Sequence, residues 1–147
     1  MTGEGDGGFL SADAYGRSLR GFGVNLLVSD VARAVAFQRD VLGVQVVHEE
    51  RDFAVLSHGG HQWMLHGDQT YSAHPLLALT GDGTIRGAGA ELRLYDLDPD
   101  GAEARARAAG HPVLAASSDK PHGLRECFLV DPDGYVWVPG WPKTAAD

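Results

Sequence analysis

Seven histidines, a single cysteine and the charged run Glu91-Leu92-Arg93 are the groups in this chain that chemistry would draw on. Imidazoles serve as general acids and bases near neutrality or as metal ligands. His58 and His61 flank a glycine turn, and His111 and His122 fall in loop-like segments, so all four read as solvated polar residues. His48 reads as a surface residue of an outer strand, and His74 lies in a linker. Only His66 sits inside a strand-like run on the parity of Met64, because successive strand side chains point to opposite faces. Cys127 has no neighbouring histidine or helix N-terminus to lower its pKa, and it reads as a small buried hydrophobe. The chain has no nucleophile elbow, phosphate-binding loop or dinucleotide fingerprint, which sets aside hydrolase, kinase and dehydrogenase chemistry.

The elements that must position these groups come as a repeat. One unit runs from about residue 22 to 68 and the other from about 89 to 140, joined by a linker over 69–88. Each has a short strand, an aspartate (Asp30 or Asp98) that caps a helix, a closing glycine (Gly43 or Gly110), and three further strands. In the first unit the strands are expected at 23–28, 44–49, 53–57 and 62–66, with a helical stretch to Leu42. In the second they are expected at 91–95, 113–114, 126–130 and 135–138, with a helix over 102–109. Asp131-Pro132-Asp133-Gly134 reads as a hairpin turn and no more. Residues 1–20 read as a flexible extension with a short helix near 11–19, residues 21–141 as one domain, and 142–147 as a tail.

Composition narrows the partners. A chain of 147 residues with 12 basic and 20 acidic residues, net −8, has no basic patch for nucleic acid and favours a cationic or neutral small ligand. One cysteine forbids an internal disulfide and suits a reducing compartment. No apolar run approaches the roughly 20 residues of a membrane span, and residues 1–20 lack the pattern of a signal peptide. The expectation is a cytoplasmic protein that contacts neither membrane nor nucleic acid.

The order and spacing of Leu27-Val28-Ser29-Asp30, Phe37-Gln38-Arg39-Asp40-Val41-Leu42-Gly43, Arg51-Asp52-Phe53-Ala54 and Phe128 to Gly134 resemble the vicinal oxygen chelate superfamily, over Phe22 to Gly140. That superfamily includes glyoxalases, extradiol dioxygenases and bleomycin-resistance proteins. The resemblance implies an α+β fold of two βαβββ modules that form a cupped mixed sheet, with helices on the outer face, in a homodimer. It also implies where a metal would be held: seven residues before each capping aspartate, and four past each hairpin glycine. Those positions carry Gly23, Glu91, Met64 and Val138. One carboxylate among a glycine, a thioether and a valine is a poor donor set for Mg, Mn or Zn.

Strand parity then supplies the lining of the cup. Asn25, Gln62, Met64 and His66 are expected to face inward from the first module. Glu91, Arg93, Glu126, Phe128 and Val138 do so from the second, with Arg93 pairing to Glu91 or Glu126. Trp63 and Trp137 fall on the opposite parity, as core. The resulting expectation is a small-molecule-binding protein without metal or other cofactor and without catalytic residues, closest to the bleomycin-resistance branch. It would hold an antibiotic or other natural product in a cleft of a homodimer. Two alternatives share the fold: an enzyme using Glu91, His66 or Glu126 for acid/base catalysis on a natural-product intermediate, and a metal-dependent lyase or dioxygenase with unconventional ligands.

Overall fold

Both helices start where their aspartates can accept free amides. Asp30 Oδ1 accepts from the Arg33 N–H at 3.2 Å, and Asp98 Oδ1 from the Asp100 N–H at 3.0 Å. Gly43 and Gly110 end the helical stretches at φ of +75° and +80°, a conformation open to glycine. The computed structural model describes residues 8–70, 74–81 and 83–144.

A short helix α1 (Ala12–Ser18) precedes the first module, which contains β1 (Asn25–Val28), α2 (Val31–Ala36), β2 (Gln45–Glu50), β3 (Phe53–His58) and β4 (His61–Gly67). Beyond Ala36, α2 continues as a wider π-type turn over Phe37–Leu42. The second module contains β5 (Leu92–Tyr95), α3 (Pro99–Ala108), β6 (Val113–Asp119), β7 (Leu124–Val130) and β8 (Val136–Pro142). The sheets share one plan, β1-β4-β3-β2 and β5-β8-β7-β6, with the first strand of each parallel to the last and the other pairs antiparallel. This is the expected pair of βαβββ modules. β6 and β8 run longer than their residue types suggest, because pairing with β7 carries Ser117, Ser118 and Trp141 into the sheet.

One hydrophobic core serves both modules. Leu26, Leu56 and Leu65 from the first sheet and Leu94, Leu129 and Trp137 from the second join Val35, Phe37 and Ala106 of the helical segments. Arg105 of α3 donates to the Val41 carbonyl at 2.9 Å, which ties the two helical segments together. The opposite face of each sheet carries the polar groups. Cys127 and Leu129 lie in the core as expected, and burial pushes the Cys127 thiol up to about 11, so it stays protonated.

Residues 8–20 carry the short helix expected near 11–19 and pack against the first module. Phe9 stacks on His48 at 4.0 Å, and the buried Tyr15 donates its hydroxyl to Gln62 Oε1 at 3.0 Å. That docking also buries His48, expected at the surface, to 5% exposure. Two aromatic side chains on a short segment find a concave sheet face, and their burial outweighs the poor helix propensity of a glycine-containing turn. Residues 1–7 of the extension, 145–147 of the tail and 71–73 and 82 of the linker lie outside the described residues. Among the described residues no helix is long and apolar enough to cross a membrane.

Candidate functional site

The polar face of the second module is organised by one guanidinium. Arg93, on β5, donates to Glu91 Oε1 at 3.1 Å, to the Tyr95 hydroxyl at 3.2 Å and, by a very short contact, to Glu126 Oε2. Glu126 is only 3% exposed, so its carboxylate needs that partner. His122 comes within 3.4 Å of the same oxygen from the exposed side. Burial works against the Arg93 charge, but the hydrogen bonds to Glu126 and Tyr95 and the attraction of Glu126 outweigh it and raise its pKa. Arg93 therefore takes both of the partners the sequence offers it. Val138 is its register partner on β8 and is buried; Phe128, half-buried, is on β7.

On the first module, β1 and β4 bring Asn25 and His66 together, with His66 Nδ1 2.5 Å from Asn25 Oδ1. The amide oxygen accepts, which places the proton on Nδ1. Burial, and after it the charge of His74, pushes the His66 pKa below the ordinary imidazole value, favouring the neutral ring. Phe53 packs 4.8 Å from that ring, Met64 pairs with Asn25 in register, and Gln62 is engaged by Tyr15.

Where the modules meet, the chain forms a cleft of about 500 Å³. Phe22, Gly23 and Val24 enter it ahead of β1, and Glu91 to Asp96 run along the other side. Trp63 and Trp137, whose rings lie 5.6 Å apart, also line it. Of the expected site residues, Gln62, Glu91 and Arg93 border this cleft, and Met64 borders a smaller one of about 270 Å³ beside Tyr15. Asn25, His66, Glu126, Phe128 and Val138 border neither of these two clefts.

Four features here escaped sequence reasoning. His58, expected to be solvated, is half-buried and reaches from the β3–β4 turn to the Tyr95 carbonyl, Nε2 to O 2.5 Å. The carbonyl accepts, so Nε2 carries the proton. Asp96, just past β5, holds φ at +56°, a left-handed conformation uncommon outside glycine, asparagine and aspartate. The turn at Asp131 does more than reverse the chain. The buried Asp131 carboxylate accepts from the Asp133 and Tyr135 amides at 2.9 and 3.0 Å and from Trp137 Nε1 at 3.0 Å. Burial pushes its pKa up to about 6, against the pull of those three hydrogen bonds. Asp133 Oδ1 accepts from the Ser29 amide at 3.0 Å, and the Tyr135 hydroxyl donates to the Leu27 carbonyl at 2.9 Å, so the turn staples module two to module one. His111, also expected in solvent, sets its ring edge-on to Phe37 at 4.9 Å. No sequence pattern signals the His58 and His111 contacts or the bonds that tie Asp133 and Tyr135 to the first module, since each depends on how the modules meet.

The positions that would hold a metal do not suit one. Val138 presents hydrocarbon, Gly23 has no side chain, and Glu91 is bonded to Arg93. Among the described residues no group of three or more His, Cys, Asp or Glu is arranged to hold a metal ion.

The same architecture occurs in solved structures. TioX from Micromonospora sp. ML1 superposes with a TM-score of 0.60 at 23% identity, covering 87% of this chain and 100% of that one. A glyoxalase-related enzyme from Fulvimarina pelagi gives 0.65 at 20% identity over 88% and 95% of the two chains. A glyoxalase/bleomycin resistance protein/dioxygenase from Nocardioides gives 0.60 at 21% over 92% and 95%. Identities this low speak for the fold alone. No curated protein matches the chain. The family profile of the Glyoxalase/Bleomycin resistance protein/Dioxygenase superfamily matches residues 23–138, nearly the whole of both modules. With that match and the paired four-stranded sheets, the chain belongs to the Glyoxalase/Bleomycin resistance protein/Dioxygenase superfamily.

Proposed function

We propose that this chain is a metal-independent small-molecule-binding protein that holds an antibiotic or other natural product without changing it, in the cytoplasm and as a homodimer. The observation that carries this reading is the donor set at the family's metal positions: Gly23, Met64, Glu91 and Val138, of which only Glu91 offers a hard ligand, already bonded to Arg93. What stands there instead suits a ligand held by shape and a few hydrogen bonds. Gln62, Glu91 and Arg93 would contact it in the cleft between the modules, with Met64 in the smaller cleft beside Tyr15. The homodimer is what the resemblance to this superfamily implies.

The test joins three measurements on purified protein: elemental analysis, light scattering, and recovery of ligands captured from natural-product mixtures. The reading expects no stoichiometric metal, twice the 15.6 kDa chain mass, and ligand recovered at unchanged mass after chelator treatment. About one Zn, Mn, Fe or Ni per chain, or binding abolished by the chelator, would overturn metal independence. A monomer mass at micromolar concentration would overturn the dimer.

A second reading, acid/base catalysis, is favoured by one observation. His66 is a half-buried imidazole kept neutral by its surroundings and oriented by Asn25, as a general base requires. Ligand recovered with altered mass from the wild type, but not from His66→Gln, would establish it in place of the first.

A further inference from the structure

We propose that the cleft between the modules of a single chain takes a planar aromatic cation, stacked on Phe22 and Tyr95 with its charge facing Asp96 and Glu91. This rests on the binding reading above and gives it a ligand class and a place.

The rings come first. Phe22 is 92% exposed and Tyr95 55%, although most rings in this chain are packed into the core or against a sheet. Both line the cleft, as do Trp63 and Trp137, so flat apolar faces arrive there from four separate segments. Such faces recognise a flat ligand through offset stacking, and covering Phe22 removes apolar surface from water. The Trp63 indole is itself 8% exposed, and its buried N–H has no acceptor among the described residues.

The sign of the charge follows from the ion pairs. Arg93 is the one lysine or arginine lining the cleft among the described residues, and its guanidinium is engaged by Glu91 and Glu126. Asp96 also lines the cleft and makes no ion pair among the described residues. One positive charge therefore stands against Glu91, Asp96 and the buried Glu126, leaving an excess of negative charge that a cationic ligand would offset. The Tyr95 ring has the Arg93 guanidinium carbon 5.7 Å from its centroid, so a ligand would stack on the ring surface that Arg93 leaves exposed. Asp96 is held left-handed, with φ of +56°, a conformation that aspartate and asparagine adopt more readily than most residues.

The experiment titrates the full chain with proflavine, a planar tricyclic cation, following dye fluorescence and tryptophan emission. Two probes of similar size run alongside: a planar aromatic sulfonate and the saturated cation dicyclohexylammonium. Asp96→Asn keeps a residue that tolerates the left-handed backbone and removes only charge, Phe22→Ser removes a ring that packs little in the free protein, and Leu114→Ser is the control at an exposed leucine elsewhere. The expected result is saturable proflavine binding, weakened roughly tenfold by Asp96→Asn and by Phe22→Ser, with unchanged melting temperatures and no effect of Leu114→Ser. Proflavine affinity unaltered by both variants overturns the proposal, and so does equal or tighter binding of the sulfonate. Dicyclohexylammonium binding as tightly as proflavine overturns the aromatic requirement while leaving the small-molecule reading intact. Capture of an unrelated natural product at unchanged mass, with no proflavine binding, refutes this inference alone; conversion of a captured ligand, with proflavine still bound, refutes the earlier reading alone.

Discussion

Replacing Asp131 by asparagine should make the stability difference between variant and wild type depend on pH. Asp131 is 5% exposed, and burial raises its pKa to about 6 from an ordinary 3.8. A folded-state pKa above the unfolded value means the folded protein binds that proton more tightly. Its contribution is therefore fully present below about pH 4 and is lost as pH rises through about 6. At ~1.4 kcal/mol per pH unit, the span from 3.8 to about 6 corresponds to about 3 kcal/mol between pH 4 and pH 7. The asparagine side chain cannot ionise, so this component disappears in the variant. The variant can still accept from the Asp133 and Tyr135 amides, but its amino group meets the Trp137 N–H donor or forces the amide to turn. At any one pH the two effects mix. Their pH dependence separates them, because the lost hydrogen bond does not titrate. Urea denaturation of both proteins from pH 4 to 7.5 is the assay. Asp131→Asn should be less stable relative to wild type at pH 4 than at pH 7, by roughly 3 kcal/mol. Parallel stability profiles would refute the reasoning, and a gap that widens toward neutral pH would reverse its sign.

Arg93→Met should destabilise the fold by about 3–5 kcal/mol, since it leaves Glu126 buried with only the exposed His122 beside it; Arg93→Met combined with Glu126→Leu should recover much of that loss by denaturant titration. Tyr15→Ala should release the N-terminal segment without unfolding the modules, seen as faster hydrogen exchange over residues 9–19 and at His48, with strands β7 and β8 unchanged. Gly87→Ala would set a methyl group 2.6 Å from the Tyr135 Cα and should lower stability by about 1–3 kcal/mol, read as a reduced melting temperature.

Local spacing made much of this protein legible from its residues. The capping aspartates, the left-handed glycines and strand alternation depend on neighbours a few positions apart, so they declared the repeat, the two modules and the division of β7 into buried Cys127 and Leu129 against Glu126 and Phe128. The same alternation placed Arg93 beside Glu91 and Glu126, because opposite charges on one face of neighbouring strands have few other partners. The donor-poor metal positions could also be read by counting from the capping residues. Tertiary structure decided the rest. Whether Phe9 and Tyr15 would find a sheet face and whether His58 would reach Tyr95 depend on how two sheets and a terminal segment come together. The bonds from Asp133 to Ser29 and from Tyr135 to Leu27 join residues 104 and 108 positions apart. Periodicity carries no information at that range, because which surfaces meet is settled by shape and by the burial of apolar area across the whole chain.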